Sequence, residues 1–163
     1  MSGELLLECK DVYKSFDGKI DVLRGINLKV YERDFVSILG ESGSGKSTLL
    51  GLLGGMDVAT KGNVLFENVD LGTLKEKDLA FLRRTKLGFV FQFFNLAPYL
   101  TVEENILLPI FLDGKKIKNY EEPLCDMLSY LKISDYRNKM PGQLSGGEQQ
   151  RVAIARGLIY NPK

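Results

Sequence analysis

The sequence predicts an α/β fold in three parts: an N-terminal antiparallel β layer, a mostly parallel core sheet, and a helical subdomain inserted between core elements. Three observations carry that prediction. Short apolar runs separated by turn residues fill the first thirty positions. A nearly unbroken apolar run at 34–39 flows into a glycine-rich loop. Beyond position 92 the apolar spacing becomes that of helices.

Residues 5–12 and 20–30 read as strands of the β layer, broken by the Asp17-Gly18 turn and at Arg24-Gly25. Residues 34–39 have the continuous apolar character of a strand buried on both faces. A helix over 48–55 follows, with glycines where close packing or termination is expected. Residues 63–66 return as a strand, 75–84 form an amphipathic helix with Leu79 and Leu82 on one face, and 87–91 read as another buried strand. Thr101-Val-Glu-Glu104 fits a capping box that opens a helix, 110–113 read as a helix end after Pro109, and 122–131 form a second amphipathic segment. Ser145 caps a third helix running to about Tyr160. The chain thus divides into a β layer with core at 1–91, a helical subdomain at 92–144 and a final helix at 145–163.

Length and composition narrow the class. At 163 residues the chain is one domain with its own core. Lys and Arg number 22 against 21 Asp and Glu, a net charge of +1, which argues against a dedicated nucleic-acid surface. Cys9 and Cys125 match no metal-ligand spacing and read as reduced thiols. The longest apolar run, 106–112, is far short of the roughly 20 residues a membrane span needs, so membrane association is expected through a partner.

Two glycine-rich motifs carry the chemistry. Gly40-Glu41-Ser42-Gly43-Ser44-Gly45-Lys46-Ser47-Thr48 fits the P-loop pattern of nucleoside-triphosphate-binding proteins. Glycines at 43 and 45 admit the backbone angles that turn successive N–H groups toward a phosphate, and the following helix aims its positive end at the same anion. Lys46 would give a point charge to the β- and γ-phosphates, Ser47 a hydroxyl to Mg²⁺, and Thr48 a hydrogen bond to the α-phosphate. Leu144-Ser145-Gly146-Gly147-Glu148-Gln-Gln-Arg151 presents a second glycine-lined helix start, physically another anion-binding end.

The second motif, downstream of the first, resembles the signature of ATP-binding cassette (ABC) proteins, and the resemblance extends over essentially the whole chain. Gly88-Phe-Val-Phe-Gln92-Phe-Phe-Asn-Leu-Ala-Pro98, with the Leu-Thr-Val-Glu-Glu-Asn-Ile run that follows, resembles the branch serving lipoprotein-releasing and macrolide-exporting systems. It implies a P-loop core, an ATP and Mg²⁺ requirement, and a head-to-tail homodimer. In that dimer Ser145, Gly146, Gly147 and Glu148 of one subunit close over ATP held by the other. It also implies an integral membrane permease as partner and a position on the cytoplasmic face of the membrane. Gln92 matches the glutamine that touches Mg²⁺ and the attacking water, and Phe16 the aromatic that stacks on adenine. In the family, Asn161-Pro162-Lys163 would be followed by an apolar strand ending in Asp-Glu and then a histidine. The sequence has no histidine, so the resemblance implies that the Mg²⁺-orienting Asp, the catalytic Glu and the switch His are absent from these residues. It implies too that the chain is either a fragment of a longer product or truncated, and that it is inactive as given. A fragment that binds ATP without hydrolysing it is the alternative this leaves. ABC-type ATPases of DNA repair are disfavoured, because their motifs are separated by long coiled coils.

Overall fold

The structure, a computed structural model, describes residues 3–163, which form two compact units, one ending at Ala80 and the other Phe81–Lys163. The first unit is built on a four-stranded antiparallel sheet. Its strands are β1 (Leu5–Ser15), β2 (Asp21–Tyr31), β3 (Lys61–Phe66) and β4 (Val69–Asp70), in the order β2-β1-β3-β4. The Asp17-Gly18 turn joins β1 to β2. Asp17 Oδ1 accepts from the N–H groups of Lys19 at 2.8 Å and Ile20 at 3.0 Å, and Gly18 takes a φ of 70°.

The inward positions of β1 do not simply alternate, and the reason is a bulge. Cys9 pairs with Leu28 and Val12 with Ile26, so three steps on β1 match two on β2, and Asp11 takes a φ of 48°. The extra residue shifts the alternation by one, which brings Val12 and Lys14 to the buried face with Cys9. The same place demands a glycine from β3: a Cβ on Gly62 would lie 2.2 Å from the Asp11 carbonyl oxygen. Buried Lys14 is satisfied by Asp57 Oδ1 at 2.7 Å and the Val58 carbonyl at 2.9 Å. Burial pushes the Cys9 thiol up to about 11, which keeps it a neutral, small hydrophobe; Cys125 is exposed, and both are free.

Beneath the sheet lies α1 (Lys46–Leu53), which buries Leu49, Leu52 and Leu53. A 3-10 turn (Leu71–Thr73) and α2 (Glu76–Thr85) follow β4 and bury Leu71 and Leu79.

Three expectations are corrected. Arg24-Gly25 does not break β2: the strand runs through it, and the positive φ of Gly25, 62°, absorbs a register shift. Residues 34–39 and 87–91 are not strands. A doubly buried strand exists only if ladders form on its edges and layers cover its faces, and among the described residues neither segment has them. Phe35 and Leu39 are therefore 95% and 90% exposed, and Val90 is half exposed.

The second unit is a helix cluster: α3 (Val102–Leu112), α4 (Glu121–Tyr130) and α5 (Gly146–Leu158), joined by 3-10 turns. One stripe from each helix meets at the centre: Val102, Ile106 and Ile110; Leu124 and Leu128; Val152 and Ala155, with Ile159 just past α5. Burial of each large aliphatic contributes roughly 1.5–3 kcal/mol. The capping box of α3 forms as its sequence predicts, with the Thr101 hydroxyl accepting from Glu104 N–H and the Glu104 carboxylate accepting from Thr101 N–H. Asp113 closes the helix and anchors the cluster, accepting from Arg84 at 3.0 Å and from the Tyr160 hydroxyl.

Asn105 is fully buried on α3 and every polar atom of its side chain is used. Oδ1 accepts from Ala97 N–H at 2.7 Å, and Nδ2 donates to the carbonyls of Ala97, Leu100 and Thr101 at 2.9–3.1 Å. It fastens the 97–101 loop to the helix. Replacing Asn105 by Leu strips those buried backbone groups of their partners, and about 2–4 kcal/mol of stability is expected to be lost. Urea unfolding of the two proteins checks this; a loss below about 1 kcal/mol would contradict it.

Candidate functional site

The loop at 40–48 sits at the start of α1, and its shape follows from two glycines. Gly43 and Gly45 take φ of 79° and 89°, a region closed to most side chains. Gly45 is also crowded: a Cβ there would lie 2.9 Å from Leu23 Cδ2 and 3.2 Å from the Val22 carbonyl oxygen, so β2 forms the floor under the loop. Gly45 is the N-cap of α1 and supplies no side-chain acceptor. Leu49 N–H makes the first ladder bond, to the Gly45 carbonyl at 2.8 Å, so the N–H groups of Lys46, Ser47 and Thr48 precede the ladder.

Lys46 folds back over its own loop. Its ammonium donates to the carbonyls of Gly40 at 2.9 Å and Glu41 at 2.6 Å, with Ser44 Oγ farther off at 3.4 Å. The loop thus gathers a full positive charge, a helix N-terminus and solvent-facing serines at 42, 44 and 47 into one small region. An oligophosphate fits that donor set. A metal held by protein alone does not, since no group of three His, Cys, Asp or Glu side chains gathers among the described residues. A Mg²⁺ bound chiefly by phosphate oxygens and water needs only a hydroxyl such as that of Ser47.

Phe16 follows the end of β1 and is 68% exposed, with the Lys14 ammonium 5.0 Å from its ring centroid. That cation leaves the rest of the ring open for stacking. Neither the Lys14 contact nor the role of Asn105 has a signal in the sequence.

In the second unit, Ser145 is the N-cap of α5 and forms a full capping box with Glu148. Glu148 N–H donates to Ser145 Oγ at 3.4 Å and the Glu148 carboxylate accepts from Ser145 N–H at 2.7 Å. Glu148 is therefore committed to its own helix. The hydrogen bond from Ser145 N–H, followed by one from the Tyr136 hydroxyl, holds its carboxyl below the usual range. Gly146 and Gly147 are exposed on the first turn, and a Cβ on Gly146 would meet nothing within 4 Å. Gln92 is exposed in a turn after the irregular 87–91 segment.

The family model for ABC transporters matches residues 23–163, which includes both glycine motifs. The chain belongs to the ABC transporter family. Curated relatives agree: the lipoprotein-releasing system ATP-binding protein LolD of Legionella pneumophila (strain Lens) is 43% identical over 163 residues, 98% of this chain and 72% of that protein. LolD of Aquifex aeolicus is 46% identical over 157 residues, 96% and 70% of the two chains. Among solved structures, a dimeric post-hydrolysis state of the ATP-binding cassette MJ0796, bound to ADP and Pi, superposes with a TM-score of 0.88. That cassette is 41% identical and the match covers 96% of this chain and 71% of that one. This ABC subunit therefore has the cassette fold.

The Ser145–Glu148 capping box makes the stability of α5 depend on pH. A carboxyl with a depressed folded-state pKa stabilises the fold above its unfolded pKa, and that contribution is lost as pH falls through the folded value. Glu148→Gln is expected to melt below the parent protein at pH 7. The difference should shrink on acidification and vanish once Glu148 is protonated, below the usual carboxylate range. Thermal melts of both proteins from pH 7 to pH 3 test it; a gap that stays constant with pH would refute the charged capping role.

Proposed function

We propose that this chain is the ATP-binding and ATP-hydrolysing subunit of an ABC transporter. It works as a head-to-tail homodimer on the cytoplasmic face of the membrane beneath an integral permease, in the lipoprotein-release and macrolide-export branch. The observation that carries the proposal is the uncapped N-terminus of α1, where Lys46 and three N–H groups ahead of the helical ladder converge on one loop. The LolD relatives support the branch, and the dimeric cassette bound to ADP and Pi supports both the ligand and the assembly.

The residues divide the task. Backbone N–H groups from Ser42 to Ser47 receive the β-phosphate, with Gly40 and Glu41 completing the loop, and Thr48 meets the α-phosphate. Lys46, whose ammonium the Gly40 and Glu41 carbonyls hold over the loop, turns its charge to β- and γ-phosphate oxygens. Phe16 stacks on the adenine. Ser47 would offer its hydroxyl and Gln92 its amide oxygen to Mg²⁺, which when bound with phosphate oxygens would supply charge neutralisation for the transferring phosphoryl group. Gln92, an amide, orients the attacking water without taking its proton. From the partner, the Ser145 hydroxyl and the N–H groups of Gly146 and Gly147 close over the γ-phosphate. Glu148 supports this indirectly, by holding Ser145.

Two measurements on the full-length subunit test the proposal. Lys46→Ala removes a charge-assisted hydrogen bond worth about 1.5–3 kcal/mol, so Mg-ATP affinity by calorimetry should fall roughly ten- to a hundredfold with the fold retained. Equal affinity would remove the phosphate-loop assignment. In a hydrolysis-blocked background, ATP should drive dimerisation seen by sedimentation, and Ser145→Arg should abolish it while each monomer still binds ATP. A Ser145→Arg protein that dimerises like its parent would overturn the head-to-tail arrangement.

A further inference from the structure

Arg156, in the last turn of α5, has no acidic partner among the described residues. It is half-buried, and its guanidinium donates to two main-chain carbonyls, those of Phe94 at 2.7 Å and Asn95 at 2.5 Å. Desolvation pushes its pKa below the ordinary arginine value, and no carboxylate within ion-pair reach among the described residues offsets that. For packing alone, an apolar side chain of similar volume would cost less.

What the guanidinium holds explains its presence. Phe94 and Asn95 are consecutive non-glycine residues in the left-handed region, with φ of 60° and 49°, each a strained conformation that persists only when its surroundings impose it. They lie two and three residues after Gln92. The preceding flank is held by the next residue of the same helix. Gly157 approaches Gly88 and Phe89 so closely that a Cβ on Gly88 would sit 2.3 Å from the Gly157 carbonyl oxygen, and one on Gly157 would sit 3.2 Å from the Phe89 carbonyl oxygen. Gln92 is thus the exposed apex of a loop gripped on both sides by the C-terminal half of α5, whose N-terminal tip carries Ser145.

We propose that Arg156 is a positioning residue: by clamping the Phe94 and Asn95 carbonyls it fixes the Gln92 loop to the helix that bears the signature, so that both move as one piece. This rests on the role given to Gln92 above. A planar guanidinium bridges two carbonyls with separate N–H groups, which a lysine ammonium at the end of a flexible stem does not reproduce.

The test is made on the full-length subunit with its permease, comparing Arg156→Lys, Gln92→Ala and the double variant for steady-state ATP hydrolysis, with amide hydrogen exchange of residues 93–96. Arg156→Lys retains the charge and most of the stem, which keeps the fold accessible. A misplaced catalytic loop loses turnover by about ten- to a hundredfold, so kcat should fall by that factor while KM for ATP changes less than about twofold. Exchange at 93–96 should accelerate, and Gln92→Ala should add no further loss in the Arg156→Lys background. Unchanged kcat in Arg156→Lys, or losses that multiply independently in the double variant, overturns the proposal. If Gln92→Ala alone keeps full kcat, the role of Gln92 fails instead. Exchange then decides the clamp by itself: unchanged protection at 93–96 in Arg156→Lys refutes it.

Discussion

Every helix begins with N–H groups that its own ladder does not satisfy, and the way this chain treats them organises both its stability and its chemistry. At α3 and α5 the solution is internal: Thr101 with Glu104, and Ser145 with Glu148, form reciprocal capping boxes. At α1 the cap is a glycine in the left-handed region with no side-chain acceptor, and the first turn carries a lysine and no acid. A helix start that is uncapped and faces a cation is poor design for stability alone, because the positive end of the dipole repels it. It makes physical sense where an anion supplies both the missing acceptor and the countercharge.

The two boxed helices differ in turn. Thr101 opens α3 above a buried asparagine that ties down the preceding loop, so that end of the helix is wholly structural. Ser145 opens α5 with two exposed glycines behind it. Its hydroxyl oxygen accepts from Glu148 N–H at a long 3.4 Å, and the hydroxyl also hydrogen-bonds the Glu148 carboxylate. A tip in which Glu148 holds both the backbone and the hydroxyl of Ser145 while the two glycines stay exposed is rigid yet sterically open. Burial at the other end of the helix, through Val152, Ala155 and Ile159, is what makes such a tip stiff.

Much of this was legible in the sequence because the signals are local. The two glycine motifs, the Thr101 box, the Asp17-Gly18 turn and the helix periodicities each depend on residues within a few positions of one another, and the elements appear within one to three residues of where they were expected. The failures concern partners distant in sequence. Residues 34–39 and 87–91 have the composition of buried strands, but pairing is supplied by other strands, and among the described residues no strand pairs with either. The β1 bulge was invisible for the same reason: Asp11 carries no turn signal, and only the opposing registers of β2 and β3 expose the extra residue.

At the candidate site, composition predicted the donors but not their supports. Lys46, Ser47 and the glycines could be named from spacing, whereas the crowding of Gly45 by Leu23 and Val22 depends on the β layer packing beneath the loop. Arg156 is the clearest case of a residue whose type was uninformative. An arginine on a helix is normally a solvated surface residue, and nothing in Ala-Arg-Gly-Leu distinguishes it. Only the fold shows that its fork meets two carbonyls 61 and 62 residues away, in a turn too strained to hold its shape unaided. Distance in sequence is thus what separates the chemistry this chain displays in its motifs from the packing that would let those motifs act together.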